Sequence, residues 1–331
     1  MAGAEPLPAA EAAPRWRAVV VLGAGRSGTS AVTRGLQALE VDLGDRLRPG
    51  GGKNPTGFFE DRDLLRINKR LKRALGIRGD SVRLIEPECW ETSEVRTLHD
   101  EAVETIRRRF GETSLWGYKY GRTLRMLPFW EGVFRALDLD VAYLVAARNP
   151  LSVARSRARI DPRRGAQEQS DLEWLVNVIP YFREVRRRRF VVADYDLVMA
   201  DPRGQLERVA DALDLPRSPS VERSLSAYAE GFLRAGMRHS RFTVEDLDRN
   251  GRVNALVRDA YCWIYRLATD DVASDDVELW RDWQRIEDAL AAMAPVLRRI
   301  DEVEAELRRV RRNPISPLQE IPRLWRLLTR G

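Results

Sequence analysis

Apolar residues along the chain fall into two kinds of pattern. Short, nearly continuous runs at Ala18–Leu22, Leu115–Lys119, Asp140–Ala147 and Phe190–Ala193 read as strands, and the third is what a central parallel strand requires. Between them lie stretches with helical spacing. Val32, Leu36 and Leu39 predict a helix over 31–40. Leu64, Leu65, Ile67, Leu71 and Leu75 predict one over 62–75, and 100–110 predicts another. A helix over 170–187 carries Trp174, Leu175, Val178, Tyr181 and Phe182, with Pro180 expected to kink it. Asp201 and Pro202 cap a helix to Leu213. Beyond, 252–268 is an apolar helix. The span 276–312 reads as one long charged helix with Ile300, Val303, Leu307 and Val310 at heptad-like spacing. Strands alternating with helices predict an α/β fold with a parallel sheet between helical layers.

The turn after the first run changes the picture from architecture to chemistry. Gly23-Ala24-Gly25-Arg26-Ser27-Gly28-Thr29-Ser30 joins a strand to a helix. Glycines there let backbone N–H groups converge on an anion, and the helix N-terminus adds its dipole. Gly23 and Gly28 have the spacing of the nucleotide-binding P-loop, but Thr29 stands where that loop has lysine. The one cation is Arg26. A loop lacking the lysine is poorly equipped for phosphoryl transfer from ATP. As a bare pattern, the stretch also reads as a simple glycine-rich connector.

The third run ends in Arg148-Asn149-Pro150-Leu151-Ser152-Val153-Ala154-Arg155-Ser156. The strand delivers Arg148 to the sheet edge, Pro150 starts a helix, and Ser156 lies near the end of its second turn. An arginine with a hydroxyl can clasp a phosphate. The second run delivers Lys119 to the same rim, where α/β folds bind ligands.

With both motifs counted, the chain resembles the sulfotransferases that use 3′-phosphoadenosine 5′-phosphosulfate (PAPS) and release 3′-phosphoadenosine 5′-phosphate (PAP). The resemblance runs from about Trp16 to Phe242. It rests on Arg26-Ser27-Gly28-Thr29-Ser30 as the 5′-phosphosulfate loop and on Arg148 with Ser156 as the 3′-phosphate clasp. It implies a three-layer, P-loop-type parallel sheet with a C-terminal helical extension, and sulfuryl transfer to a hydroxyl or amine by in-line displacement. It further implies that Gly25, Arg26, Ser27, Gly28, Thr29 and Ser30 hold the 5′ end. A late basic loop with Arg238, His239 and Arg241 would close over the adenosine and 3′-phosphate. Lys119 and Arg122 carry over from a Gly-x-Lys-Asp-Pro-Arg stretch, whereas Tyr120-Gly121 replaces Asp-Pro. Tyr195 and Asp196 belong to a tyrosine–acid–leucine turn of structural character.

The acceptor must lose a proton, and a carboxylate is a suitable base. Glu60 comes first and Asp45 second, since related enzymes place the base after the first helix in a Gly-Glu context, here Gly44-Asp45. Glu60 also has a plainer reading. Phe58 and Phe59 would pack while Glu60 and Asp61 complement a helix dipole. Histidine is the less favoured base, with only His99 and His239 in the chain. Arg26 and Lys119 would stabilise the leaving 5′-phosphate by preorganised charge.

Composition narrows the partners. The net charge is +6, but only Lys53, Lys69, Lys72 and Lys119 of the 56 basic residues are lysine. That skew reads as genome composition, and nucleic acid is not expected as a partner. The basic run Arg186–Arg189 reads as solvated surface. Two cysteines make no disulfide framework, and no metal-ligand cluster appears. Met1–Pro14 lacks the layout of a signal peptide, and no run approaches the ~20 apolar residues of a membrane span, so a cytoplasmic protein is expected. Residues 1–15 read as a flexible N-terminus, 16–250 as the catalytic domain, 251–312 as the helical extension and 313–331 as a proline-containing tail. The expected acceptor is a carbohydrate or a small-molecule natural product, and the C-terminal helices could dock back on the domain or pair two subunits. Two alternatives stand beside this reading: an ATP-dependent P-loop phosphotransferase, and a non-catalytic nucleotide- or glycan-binding protein of the same fold.

Overall fold

The computed structural model describes residues 16–51, 57–232 and 240–312. Its centre is a four-stranded parallel sheet built from β1 (Arg17–Gly23), β2 (Leu115–Lys119), β3 (Asp140–Ala147) and β4 (Arg189–Asp194), in the order β2-β1-β3-β4. All four strands coincide with the apolar runs. Val19 is paired with Gly117 on one side and Ala142 on the other, so β1 is central. Alternate residues then enter two separate cores. Val20, Leu22, Tyr143 and Val145 face one layer; Val19, Val21, Leu144 and Ala146 face the other. A strand buried on both faces cannot alternate apolar with polar, which is why these runs are continuous.

The second face is covered by α1 (Thr29–Ala38) and by α7 (Tyr195–Ala200), α8 (Pro202–Ala212) and α9 (Pro219–Ala227). The first is covered by α2 (Arg62–Ala74), α3 (Ser93–Phe110), α4 (Leu127–Ala136) and α6 (Gln167–Phe182), with α5 (Pro150–Ala158) following β3. After the short α10 (Val244–Arg249), α11 (Ala255–Ala268) and α12 (Val277–Ala292) add Tyr261, Ile264, Trp280 and Trp283 to that same core. At the β2 edge, residues 41–43 lie alongside the strand, with Gly117 N donating to Asp42 O at 2.7 Å. A Cβ on Gly117 would come within 2.7 Å of the Leu43 side chain, so a larger residue would push this cover outward.

Two details depart from the sequence pattern. Pro180 falls in the last turn of α6, and the chain tightens into a 3-10 turn over Arg183–Arg187. The expected single helix over 276–312 is two. It breaks at Met293, and α13 (Ala294–Arg312) begins with Pro295 in its first turn. Proline has no N–H to continue the first helix and is at home in the opening turn of the second. Among the described residues, no helix is long and apolar enough to cross a membrane, and no three His, Cys, Asp or Glu side chains form a metal-ligating group.

Candidate active site

The sheet brings four loops to the C-terminal ends of its strands. The first is the turn after β1. Gly28 has φ +83° and caps α1 without a side-chain bond. A Cβ there would lie 2.4 Å from the Tyr195 ring, so the position needs glycine for both conformation and space. Gly25, by contrast, faces open space, leaving the backbone approachable. Arg26 also has positive φ, 78°, a strained backbone for a long side chain. That conformation sends its guanidinium across the sheet, where Nε donates to Ser156 Oγ at 3.1 Å.

The second loop follows β3. Asn149 accepts from Leu151 N at 3.0 Å and so caps α5, while its amide donates to the carbonyls of Phe242 (3.2 Å) and Thr243 (2.9 Å). One side chain thus starts the helix and fixes the segment that follows the late basic loop. Arg148 is buried, and its guanidinium lies 4.4 Å from the centre of the Tyr195 ring. Arg148, Arg155, Ser156, Arg159 and Ser240 line a cavity of about 270 Å³. Burial, and after it the positive charge of Arg148, push the Arg26 guanidinium below its ordinary pKa. Like charges gathered this way favour a bound anion.

The third and fourth loops meet beside Ser30. Lys119, at the end of β2, is 4% exposed. Its Nζ donates to the Phe58 carbonyl at 2.9 Å, Glu60 Oε1 at 3.2 Å and Ser30 Oγ at 3.4 Å. Burial lowers its pKa, and the Glu60 charge opposes that shift. Glu60 is buried and holds Arg48 through its other oxygen, Oε2, at 3.2 Å; Arg48 in turn covers the Phe58 ring at 3.7 Å. Phe59, with φ +53°, supplies the strained turn that aims Glu60 inward. The helix-dipole role falls to the neighbour, since Asp61 caps α2 by accepting from Asp63 N and Leu64 N. Of the two adjacent acids, Asp61 caps the helix and Glu60 is turned onto Lys119.

Asp45 sits elsewhere. Its side chain is 81% exposed and pairs with Arg109 at 2.6 Å, and that hydrogen bond holds its carboxyl below the usual range. Arg122 donates to Gly79 O at 2.5 Å and secures the 79–80 turn. Arg241 is exposed. Arg238 and His239 lie outside the described residues.

Three residues near these loops had no role in the sequence reading, and a fourth, Tyr195, was read only as part of a turn. Arg155 and Arg159 are one helical turn apart on the helix that Arg148 introduces, a spacing that could have flagged them. Arg48 lies in an irregular loop with no periodicity to mark it. Tyr195 underlies both Gly28 and Arg148 because β4 ends beside β3, which no local pattern encodes.

No protein-family model matches the chain, and no curated protein matches its sequence. Among solved structures it is similar to sulfotransferase STF9 from Mycobacterium avium, with 17% identity, 79% of this chain and 78% of that chain covered, and a TM-score of 0.37. It is also similar to sulfotransferase STF1 from Mycobacterium tuberculosis H37Rv (15%, 70% and 75%, 0.40). A third likeness is the sulfotransferase domain of the Synechococcus PCC 7002 olefin synthase (16%, 83% and 94%, 0.38).

Proposed function

We propose that the protein is a PAPS-dependent sulfotransferase acting on a hydroxyl or amine of a glycan or small-molecule natural product. The observation that carries this reading is the buried Glu60–Lys119 pair held against Ser30 of the glycine loop, with a second cationic pocket at Arg148 and Ser156 bridged to the same loop by Arg26. A donor with anions at both its 5′ and 3′ ends matches two anion sites joined by one loop. The donor supplies an activated sulfuryl group on its 5′-phosphate. The backbone of Gly25–Ser30 and the Arg26 guanidinium fit that end, and Arg148 and Ser156 fit the 3′-phosphate.

In this reading Glu60 takes the proton of the acceptor hydroxyl as its oxygen bonds to sulfur. Lys119 and Arg26 stabilise the charge that the departing 5′-phosphate gains as the old S–O bond breaks. Glu60 has both oxygens occupied, and Arg48, the more exposed of its two partners, is the one an acceptor would displace. Lys119 enters from β2 and partly makes up for the lysine that Thr29 replaces in the loop.

The deciding experiment is thermal stabilisation by adenosine 3′,5′-bisphosphate beside adenosine 5′-monophosphate and Mg-ATP at equal concentration. A ligand at ~100 times its Kd stabilises by about 2.7 kcal/mol, a shift of several degrees. The bisphosphate alone should shift the protein. A shift only with Mg-ATP would replace this reading by the phosphotransferase. Acceptor screening with PAPS then separates an enzyme from a binding protein, and Glu60→Gln should retain bisphosphate binding while turnover falls by about 100-fold or more.

A further inference from the structure

The helix α13 is tied to the body by a polar side. Asp301 is buried, accepts from Val82 N at 3.0 Å and pairs with Arg78 at 3.1 Å. Arg308 pairs with Asp80, and Arg298 with Glu86. A different side carries Val296, Ile300, Val303, Leu307 and Val310, spaced alternately by four and three, the repeat of a coiled-coil seam. Val296, Val303, Leu307 and Val310 are 58, 37, 48 and 49% exposed, and they make up most of the exposed large hydrophobic residues among those described. Water gains nothing from such a row, and a contiguous exposed apolar face marks an interaction site.

The row is self-complementary about a point between Asp301 and Glu302. We propose that α13 forms an isologous homodimer interface in which the two copies of the helix pack antiparallel. In that register Val296 meets the partner's Leu307 and Ile300 meets the partner's Val303, while Val310 flanks these layers at either end. Each layer occurs twice, as two-fold symmetry demands. The flanking charges agree: Arg299 faces the partner's Glu306, again twice. A parallel pair would instead need Glu304 beside the partner's Arg299. Glu304 is turned toward the body and held by Arg308 at 2.5 Å, with only 14% of its side chain exposed. The antiparallel arrangement therefore covers Val296, Ile300, Val303 and Leu307 and pairs Arg299 with Glu306 using one partner, a second copy of this chain.

The seam is one helix of 19 residues. So short a seam makes a small interface, and a weak dimer whose population rises with protein concentration is expected. The inference does not depend on the sulfotransferase reading.

Sedimentation velocity of the full chain between about 1 and 100 μM tests it. The mass should climb from the monomer's 37.9 kDa toward twice that value. Leu307→Glu should remain monomeric throughout, with the parent's melting temperature when the two are compared at about 1 μM, where the parent is monomeric too. Arg299→Glu should weaken the dimer several-fold by setting two acids against each other, and the double swap R299E/E306R should restore it. A chain that stays monomeric at the highest concentration overturns the proposal. So does a Leu307→Glu variant that still dimerises, or one that is monomeric but several degrees less stable, which would mean that residues 313–331 of the same chain cover the row. Failure of the double swap to restore association rejects the antiparallel register.

Discussion

The buried Lys119–Glu60 pair contributes to stability and stands at the centre of the proposed chemistry, and Lys119→Met perturbs it most directly. The ions are 3.2 Å apart and both side chains are under 10% exposed. At an effective dielectric constant of ~20 their gross attraction is about 5 kcal/mol. Desolvating Lys119 opposes this, as its lowered pKa records. Removing one partner of a buried pair ordinarily costs about 3–5 kcal/mol, because the other charge is stranded. Here Arg48 still holds the second Glu60 oxygen at 3.2 Å, so about 2–3 kcal/mol is expected. Glu60→Gln strands Lys119 in the same way. In a double-mutant cycle read by urea unfolding, the two losses should be non-additive by about 2 kcal/mol. The exposed pair Arg203–Glu207 is the internal control, since solvent screens it and its coupling should be far smaller. Additivity of Lys119→Met and Glu60→Gln to within ~0.5 kcal/mol would refute the argument. The two groups would then not be paired in solution, and the proposed base would have lost the cation that positions it.

Other consequences can be checked separately. Arg148→Ala removes the charged partner expected for a 3′-phosphate, so affinity for adenosine 3′,5′-bisphosphate should fall about 10–100-fold while adenosine 5′-monophosphate binding stays level; calorimetry with both ligands decides. Lys119 acts as a cation in the proposed transfer, and burial lowers its pKa, so kcat should decline on the alkaline side below the ordinary lysine value of 10.5. Lys119→Arg, which stays charged, should abolish that limb even where activity is reduced, and a pH–rate profile would show it. Asp194 caps α7, accepts from Tyr261 Oη at 3.0 Å, and is pushed up to about 6 chiefly by burial. Its folded pKa exceeds the unfolded one. The stability it contributes is therefore complete below about pH 4 and is lost as pH rises through about 6. Asp194→Asn keeps the cap and cannot ionise, so unfolding free energies of the two proteins should diverge in favour of the variant by up to about 3 kcal/mol between those limits. Parallel curves would exclude the assignment.

Local patterns carried the scaffold. Four buried parallel strands must be continuous apolar runs, and each was visible as one. The Gly23–Ser30 turn and the Arg148–Ser156 stretch could be read because a strand end, a cap and a helix start are neighbours in sequence. Gly28 caps α1, and Asn149 with Pro150 opens α5, through bonds that span a few residues. The heptad-like row of the last helix was legible for the same reason. The break at Met293 was equally local, encoded in Pro295.

What the chain order could not supply is which loops meet. Lys119 and Glu60 are 59 positions apart and Arg26 and Ser156 are 130 apart. Their encounters follow from the order β2-β1-β3-β4, which places the ends of β2 and β3 on either side of the β1 turn. Glu60 and Asp45 were the first and second candidate carboxylates, and nothing in the sequence showed what either would touch. The fold separated them by leaving Asp45 to Arg109 at the surface and turning Glu60, through the strained Phe59, onto Lys119. Periodicity and capping act over one helical turn or one strand, whereas the charge, burial and spacing of a site are set by strand order and by the loops it brings together.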